Sequence, residues 1–145
     1  MTPDELKEIG RRVYLEAIEK GDVSVVDEFV AHDCIDISPG LPPGMSRDGG
    51  EPLKAFVEML HHGFSDISVR IHQLLVEGDD AVGRFTIEAT HTGDFLGIPP
   101  TGKTVTWDNI DIVQVRGGKI RQHYGLYDQF GLLTQLGVIP EMAGA

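Results

Sequence analysis

Residues 103–126, KTVTWDNIDIVQVRGGKIRQHYGL, alternate between apolar and polar side chains on both sides of a Gly-Gly pair. Alternation with a period of two is typical of β-strands, and adjacent glycines favour a tight turn between them. The pattern therefore predicts two strands, Lys103–Val115 and Lys119–Leu126, which are joined at Arg116-Gly117-Gly118 as a hairpin.

The first of these strands is apolar on both faces, because the alternation changes parity within it. Trp107 shares one face with the polar Asn109 and Asp111, whereas Ile110 and Ile112 lie on the other face. A strand of this kind is expected to be covered on both sides, by helices on one and by another subunit on the other. Polar residues on the Trp107 face predict a wet pocket cut into the core, although a bulged strand would give the same pattern.

The remaining chain predicts helices first and strands afterwards, which is an α+β plan. Helical periodicity and capping signals predict helices from a capping box at Thr2 to Gly21, from Val23 to Val30 and from Glu51 to Gly63. A Pro- and Gly-rich loop is expected over Ser38–Gly44, and further strands from Asp66 onward and over Ala81–Thr92.

Composition limits the class of protein. The 145 residues, 41% of them hydrophobic, predict a single domain over 1–145 with a sizeable core. With 12 Lys and Arg against 23 Asp and Glu, the net charge of −11 argues against nucleic acid or an anionic membrane as partner. A polar N-terminus and the absence of a long apolar run predict neither a secretory signal nor a membrane span. The single cysteine, Cys34, fits a reducing compartment, so a cytoplasmic location is expected.

Common catalytic motifs are missing from the sequence. It contains no Gly-rich phosphate loop, no G-x-S-x-G and no H-E-x-x-H. The adjacent His61 and His62 cannot both face one side of a helix as metal ligands, so we expect no metal site. What remains is a group of polar residues late in the predicted sheet: His91, Asn109, Asp111, Gln114, His123, Tyr124 and Asp128. Each has a structural explanation as well; Asp128, for example, is a suitable N-cap for a helical turn over Gln129–Leu136.

Several short motifs follow one another along the second half of the chain. They are Thr-His-Thr-Gly at 90–93, Phe-Leu-Gly-Ile-Pro-Pro-Thr-Gly-Lys at 95–103, Ile-Asp-Ile at 110–112 and Leu-Leu-Thr-Gln-Leu-Gly at 132–137. In this order and spacing the chain resembles the SnoaL-like polyketide cyclases, also called ester cyclases. Upstream matches at His32, Pro39-Gly40 and 75–79 extend the resemblance over nearly the whole chain.

The resemblance implies the nuclear-transport-factor-2-like fold, a curved antiparallel or mixed sheet packed on N-terminal helices into a cone around an apolar cavity. It also implies a homodimer or homotetramer, a small hydrophobic, polyketide-like substrate, and aldol-type cyclisation or isomerisation without metal or organic cofactor. The acid/base carboxylate falls on Asp128, with His123, Gln114 or His91 as hydrogen-bond donors to the developing oxyanion. The expected substrate-binding residues are Trp107, Asn109, Asp111, Tyr124 and Phe56.

The sequence departs from the family pattern at two places and leaves other functions open. Gln122-His123-Tyr124 stands where the family usually has Glu-His-Trp, and Gln114, which cannot act as acid or base, replaces a basic residue or histidine. One alternative is a hydrolase in which Asp128 or Asp111 activates water against an epoxide or ester, with an arginine from Arg84 or Arg121. The other is a non-catalytic protein that binds a small ligand.

Overall fold

The computed structural model describes residues 1–140, in which three helices precede most of a five-stranded sheet and a fourth follows it. The helices are α1 (Pro3–Arg12), which continues as a π-helical segment over Val13–Glu19, α2 (Ser24–Phe29), α3 (Glu51–Gly63) and α4 (Gln129–Gln135). The strands are β1 (Val30–Asp36), β2 (Phe64–Glu77), β3 (Asp80–His91), β4 (Thr104–Arg116) and β5 (Lys119–Tyr127).

The first helix begins at the predicted capping box. The Thr2 hydroxyl accepts a hydrogen bond from the Glu5 amide at 3.1 Å, and the Glu5 carboxylate accepts one from the Thr2 amide at 2.9 Å. The π-helical segment that follows places two pairs of adjacent residues in the core. The buried side chains of this helical segment are Leu6, Ile9, Val13, Tyr14, Ala17 and Ile18.

The sheet has the strand order β1-β5-β4-β3-β2, and all neighbours are antiparallel except β1 and β5. The predicted α+β class with a mixed sheet is confirmed. The predicted bounds of the strands lie within two residues of those observed for β2, β3, β4 and β5. Sequence analysis missed β1, which adds the parallel edge strand. This omission matters because the inner side of β1 carries Cys34 and Asp36, both buried.

The change of parity in β4 reflects a polar pocket on its inner face. Trp107 and Asn109 are buried, whereas Ile110 and Ile112 are 42% and 44% exposed on the outer face. The pairing of β4 with β3 runs without interruption through this region, and the irregularity against β5 occurs only at Gln114/Val115. A bulge therefore does not explain the change of parity.

The last helix closes against the sheet. Asp128 caps α4 by accepting a hydrogen bond from the Gly131 amide at 2.9 Å, as its position before the predicted helix indicated. Leu132 is fully buried, and the Gln135 side chain bonds the backbone of Thr106 on β4 in both directions. Among the described residues, no helix has the length and apolar character needed to cross a membrane.

Leu60 on α3, only 1% exposed, offers a test of this packing. Leu60→Ala should lower the free energy of unfolding by about 2–5 kcal/mol, because it leaves a cavity between α3 and the sheet. Urea unfolding monitored by circular dichroism measures the change. Leu96→Ala, at a site 49% exposed, is the matched control and should cost well under half as much. Equal losses for both variants would contradict this packing.

Candidate active site

A cavity of about 290 Å³ lies between the inner face of the sheet, α3 and the loop that follows β1. Its apolar lining includes Ile18, Leu41, Pro52, Leu53, Phe56 and Phe85. Its polar lining includes Asp36, Ser38, Asn109, Asp111, His123, Tyr127 and Gln129. A mainly apolar cleft with a few convergent polar groups is the usual form of a site for a small organic molecule.

One hydrogen-bonded network lies on the wall of this cavity, with His123 at its centre. The Nδ1 atom of His123 lies 2.7 Å from Oδ2 of Asp36, and Nε2 lies 3.0 Å from Oδ1 of Asp111. An ionised carboxylate can only accept hydrogen bonds, so both ring nitrogens must donate. The ring is therefore an imidazolium between two carboxylates, and the network carries a net charge of −1.

The electrostatics of the network support this protonation state. Burial alone would lower the pKa of His123, but hydrogen bonds to Asp111 and Asp36 outweigh it and raise the pKa to about 10. Burial also disfavours the charged form of Asp36, which for a carboxyl group raises the pKa. Hydrogen bonds from His123 and Ser38 outweigh this effect, so the pKa of Asp36 lies below the usual 3.8. Each charge in the network thus depends on its neighbour.

Strand pairing brings these residues together from distant parts of the sequence. Asp36 on β1 is the parallel partner of His123 on β5, and Asp111 on β4 is paired with Gly125, two residues beyond His123. A Cβ atom at Gly125 would lie 2.5 Å from Oδ1 of Asp111 and 2.9 Å from the His123 ring. Glycine at this position therefore leaves the space in which the imidazole reaches Asp111. The Ser38 amide completes the arrangement by donating to Oδ1 of Asp36 at 2.8 Å.

Four of the residues predicted for the site line the cavity: Phe56, Asn109, Asp111 and His123. Asn109 is buried, and its side-chain amide donates to the Trp107 carbonyl at 3.3 Å. Trp107 itself packs in an aromatic cluster with Phe64, with ring centroids 5.3 Å apart, and does not line the cavity. Tyr124 alternates with His123 and pairs with Ile112, so it lies on the outer face of the sheet.

The other three residues predicted to be catalytic lie outside the cavity lining. Asp128 is exposed and holds the N-terminus of α4, while Gln114 lies near the far end of β4, opposite Asp80. His91 is fully buried, and its Nδ1 accepts a hydrogen bond from the Thr101 amide at 3.1 Å, which fastens the loop between β3 and β4. Catalytic roles for these three stay predictions, and their positions favour structural roles.

Neither arginine considered for a hydrolase reaches the network. Arg84 donates to Gln73 at 2.9 Å, and Arg121 forms an ion pair with Asp33 at 2.8 Å; neither lines the cavity. At the cavity, the structure thus assembles two carboxylates around a histidine rather than around an arginine.

Sequence analysis missed Asp36, which belongs to the network, and Tyr14, which lines a smaller cavity together with Asp111 and His123. A carboxylate between Ile35 and Ile37 was the available signal for Asp36, but the apolar flanks conceal its inward direction. No pattern in the sequence marked Tyr14, because it lies at the start of the π-helical segment, where helical periodicity shifts.

The network is also unsuited to metal binding as it stands. Both nitrogens of His123 are occupied by hydrogen bonds to carboxylates. Within residues 1–140, no group of three or more His, Cys, Asp or Glu side chains has the geometry to hold a metal ion.

The fold and the cavity define an α+β protein with a mainly apolar cavity whose wall carries an Asp–His–Asp network. The family model for the SnoaL-like polyketide cyclases matches residues 8–136, and the chain therefore belongs to this family. The resemblance inferred from the sequence is confirmed, as is the expectation of an enzyme of the cyclase type.

Individual relatives agree with this assignment. The chain is 29% identical over 129 residues to the aklanonic acid methyl ester cyclase DauD of Streptomyces sp. (strain C5), covering 87% of this chain and 78% of DauD. It is 25% identical over 123 residues to the nogalonic acid methyl ester cyclase of Streptomyces nogalater, covering 83% and 90% of the two chains. The solved structure of TsrD from Streptomyces laurentii matches with a TM-score of 0.84 and 28% identity, over 96% of this chain and 99% of that chain.

The charge of His123 predicts a distinct pH dependence of stability. His123→Asn should lower the free energy of unfolding by about 3 kcal/mol near pH 6, because Asp36 stays buried without its cation. Since the pKa of His123 rises from 6.5 to about 10 on folding, this stabilisation is complete below pH 6.5 and is lost between pH 6.5 and 10. On the acid side, the contribution of Asp36 is lost as the pH falls below 3.8, because folding lowers its pKa.

Urea unfolding of the wild type and His123→Asn at several pH values measures the difference. His72→Asn is the control, because His72 is exposed and bonds only the Thr86 hydroxyl among the described residues. A difference between His123→Asn and the wild type that stays constant from pH 6 to pH 10 would show that His123 is not charged in the folded protein.

Proposed function

We propose that the protein catalyses an intramolecular aldol-type cyclisation of a small, uncharged, polyketide-like substrate, with Asp111 as the acid–base residue. Membership of the SnoaL-like polyketide cyclases supports the reaction class, and relatives named as methyl ester cyclases support the kind of substrate. The observation that carries the proposal is the Asp36–His123–Asp111 network on the wall of an apolar cavity.

Asp111 is the carboxylate of the network best placed to act on a substrate. Its side chain is 16% exposed and lines the cavity, whereas that of Asp36 is 6% exposed and also bonds the Ser38 amide. One oxygen of Asp111 accepts from His123, which leaves the other to approach a substrate. Asp36 instead holds the imidazolium from the far side.

The reaction needs only a shuttled proton. Asp111 removes a proton from a substrate carbon that is flanked by carbonyl groups. The resulting enolate carbon attacks a different, more distant carbonyl group of the same molecule. The new carbon–carbon bond converts that carbonyl to an alkoxide, which takes the proton back from Asp111. Mass is unchanged, and no external oxidant or reductant is required. The nearby imidazolium of His123 stabilises the negative charge of the enolate and alkoxide.

The charge of the cavity favours an esterified substrate over a free acid. Among residues 1–140, no lysine or arginine lines the cavity, and the network itself has a net charge of −1. A substrate carboxylate would thus enter an apolar space without a cation to pair with. An ester of the same molecule avoids this cost.

Two carboxylate variants test which aspartate carries the reaction. Asp111→Asn should reduce kcat at least 100-fold, the usual size of an acid–base contribution, because the amide cannot accept the proton. Asp128→Asn should keep most of the activity, because asparagine also caps a helix. Purified variants are incubated with aklanonic acid methyl ester, and products are identified by mass spectrometry.

If Asp111→Asn still forms the product of unchanged mass and Asp128→Asn does not, the exposed Asp128 is the acid–base residue instead. A product heavier by one water would replace the cyclase assignment with a hydrolase.

We also propose that a second copy of the chain covers the outer face of the sheet. Leu75, Val82, Ile112 and Tyr124 pair in register across β2, β3, β4 and β5 and form one apolar row on that face. Ile112 is 44% exposed and Leu75 is 56% exposed, so the described chain leaves the row largely open. A row of this kind across four strands suits a self-complementary contact.

Ile112→Glu should convert the oligomer to a monomer, because it places a charge in the middle of the apolar row. Size-exclusion chromatography with light scattering measures the mass. Val138→Glu, at another exposed β-branched residue that lies outside the sheet, should leave the mass unchanged. A wild-type protein that is already monomeric would refute this assembly.

A further inference from the structure

Asp111 lies between two glycines in the sheet. Its antiparallel partner on β3 is Gly83, and its partner on β5 is Gly125. Neither neighbour carries a side chain, so Asp111 is bordered by gaps on both sides of its own strand. On the β5 side the ring of His123 occupies the gap, as described above.

Tyr14 from the π-helical segment occupies the gap on the β3 side. A Cβ atom at Gly83 would collide with the Tyr14 hydroxyl and would lie 2.6 Å from its Cε2 atom. The Tyr14 ring is 6% exposed and packs on Phe85 with centroids 4.2 Å apart, so its position is fixed from two directions. Only a glycine at 83 admits the tyrosine to this place.

The Tyr14 hydroxyl lies in the gap at Gly83, the strand partner of Asp111, and is a permanent donor beside that carboxylate. Burial raises the pKa of Tyr14 well above its usual value, and the charge of the Asp111 carboxylate raises it further. The hydroxyl consequently keeps its proton at any working pH. An ionised carboxylate next to such a donor is held in one orientation.

A second, smaller cavity shows that Tyr14 approaches Asp111 from behind. This cavity of about 50 Å³ is lined by Tyr14, Gly83, Asp111 and His123, together with residues of α1 and the sheet. Asp111 and His123 also line the main cavity, but Tyr14 does not. Together with Ile18 and Leu53, these two residues line both cavities and form part of the wall between them. Tyr14 lies on the side of that wall away from the main cavity.

We propose that Tyr14 is a positioning residue, whose hydroxyl reaches through the gap at Gly83 and holds the Asp111 carboxylate in line with His123. The proposal rests on the proposed function in one respect, since it takes Asp111 as the proton shuttle. The groups that face Asp111 are Tyr14 from the helical segment and His123 from β5, with Asp36 of β1 beyond the imidazole.

The first test needs no substrate. At pH 7 the imidazolium of His123 carries two N–H protons, one bonded to Asp111 and one to Asp36, and proton NMR with 15N-labelled histidine distinguishes them. In Tyr14→Phe, the Nε2–H signal should broaden or shift, because Asp111 is freer to turn. The Nδ1–H signal should stay, because Asp36 is untouched. An unchanged Nε2–H signal in folded Tyr14→Phe would overturn the proposal.

The second test separates positioning from substrate binding. With aklanonic acid methyl ester, Tyr14→Phe should lower kcat about tenfold and leave KM within about twofold, because Tyr14 orients Asp111 without touching the main cavity. The control is Thr86→Val, which removes the hydroxyl that donates to Asp108 at 2.6 Å on the outer face of β3 and β4. It should leave both constants unchanged.

The two tests also distinguish failure of this proposal from failure of the proposed function. If Asp111→Asn is fully active, Asp111 is not the shuttle, and the Nε2–H signal alone then decides whether Tyr14 positions it. If Asp111→Asn is inactive while Tyr14→Phe has wild-type kcat and an unaltered Nε2–H signal, the function stands and the positioning role of Tyr14 is refuted.

Discussion

The ion pairs of His123 with Asp36 and Asp111 are the contacts on which the site depends. Two carboxylates facing one apolar cavity repel each other and lose hydration, so they need a cation between them to stay ionised. The imidazolium supplies that cation, and its two nitrogens reach carboxylates on the two neighbouring strands. Because β1 pairs with β5 in parallel, Asp36 lies directly beside His123. The sheet topology thus has a direct electrostatic consequence.

The same network explains why small residues stand at certain positions of the sheet. Gly125 leaves room for the imidazole, and Gly83 leaves room for Tyr14, although glycine inside a strand weakens it. The cost in strand stability is offset by what the gaps admit, an ion pair on one side and a buried aromatic ring on the other. The space left by the missing side chains of Gly83 and Gly125 is filled by Tyr14 and His123, both of which lie beside Asp111. The packing of the sheet therefore also determines the surroundings of this carboxylate.

Periodicity predicted most of the fold, and the reasons for its failures are local. The parity change in β4 correctly indicated a pocket, because Asn109 and Asp111 interrupt an otherwise apolar inner face. It failed for β1, whose inner side carries Cys34 and Asp36, whereas the apolar Ile35 is 53% exposed. Alternation there suggests the opposite orientation, and only the pairing with β5 reveals the true one. Motif resemblance located His123 but could not show which carboxylates flank it, because that depends on strand register.

Asp128, which the family motif matched, and Asp111, which lines the cavity, have different surroundings. Asp128 accepts a hydrogen bond from the first turn of α4 and is open to water, so its charge is already well solvated. It also lies outside the cavity lining, so it does not face a molecule bound there. Asp111 is partly withdrawn from water and lines the apolar cavity, so its side chain can contact a substrate bound there. The difference between the two aspartates lies in their surroundings, which is why we propose Asp111 rather than Asp128 as the base.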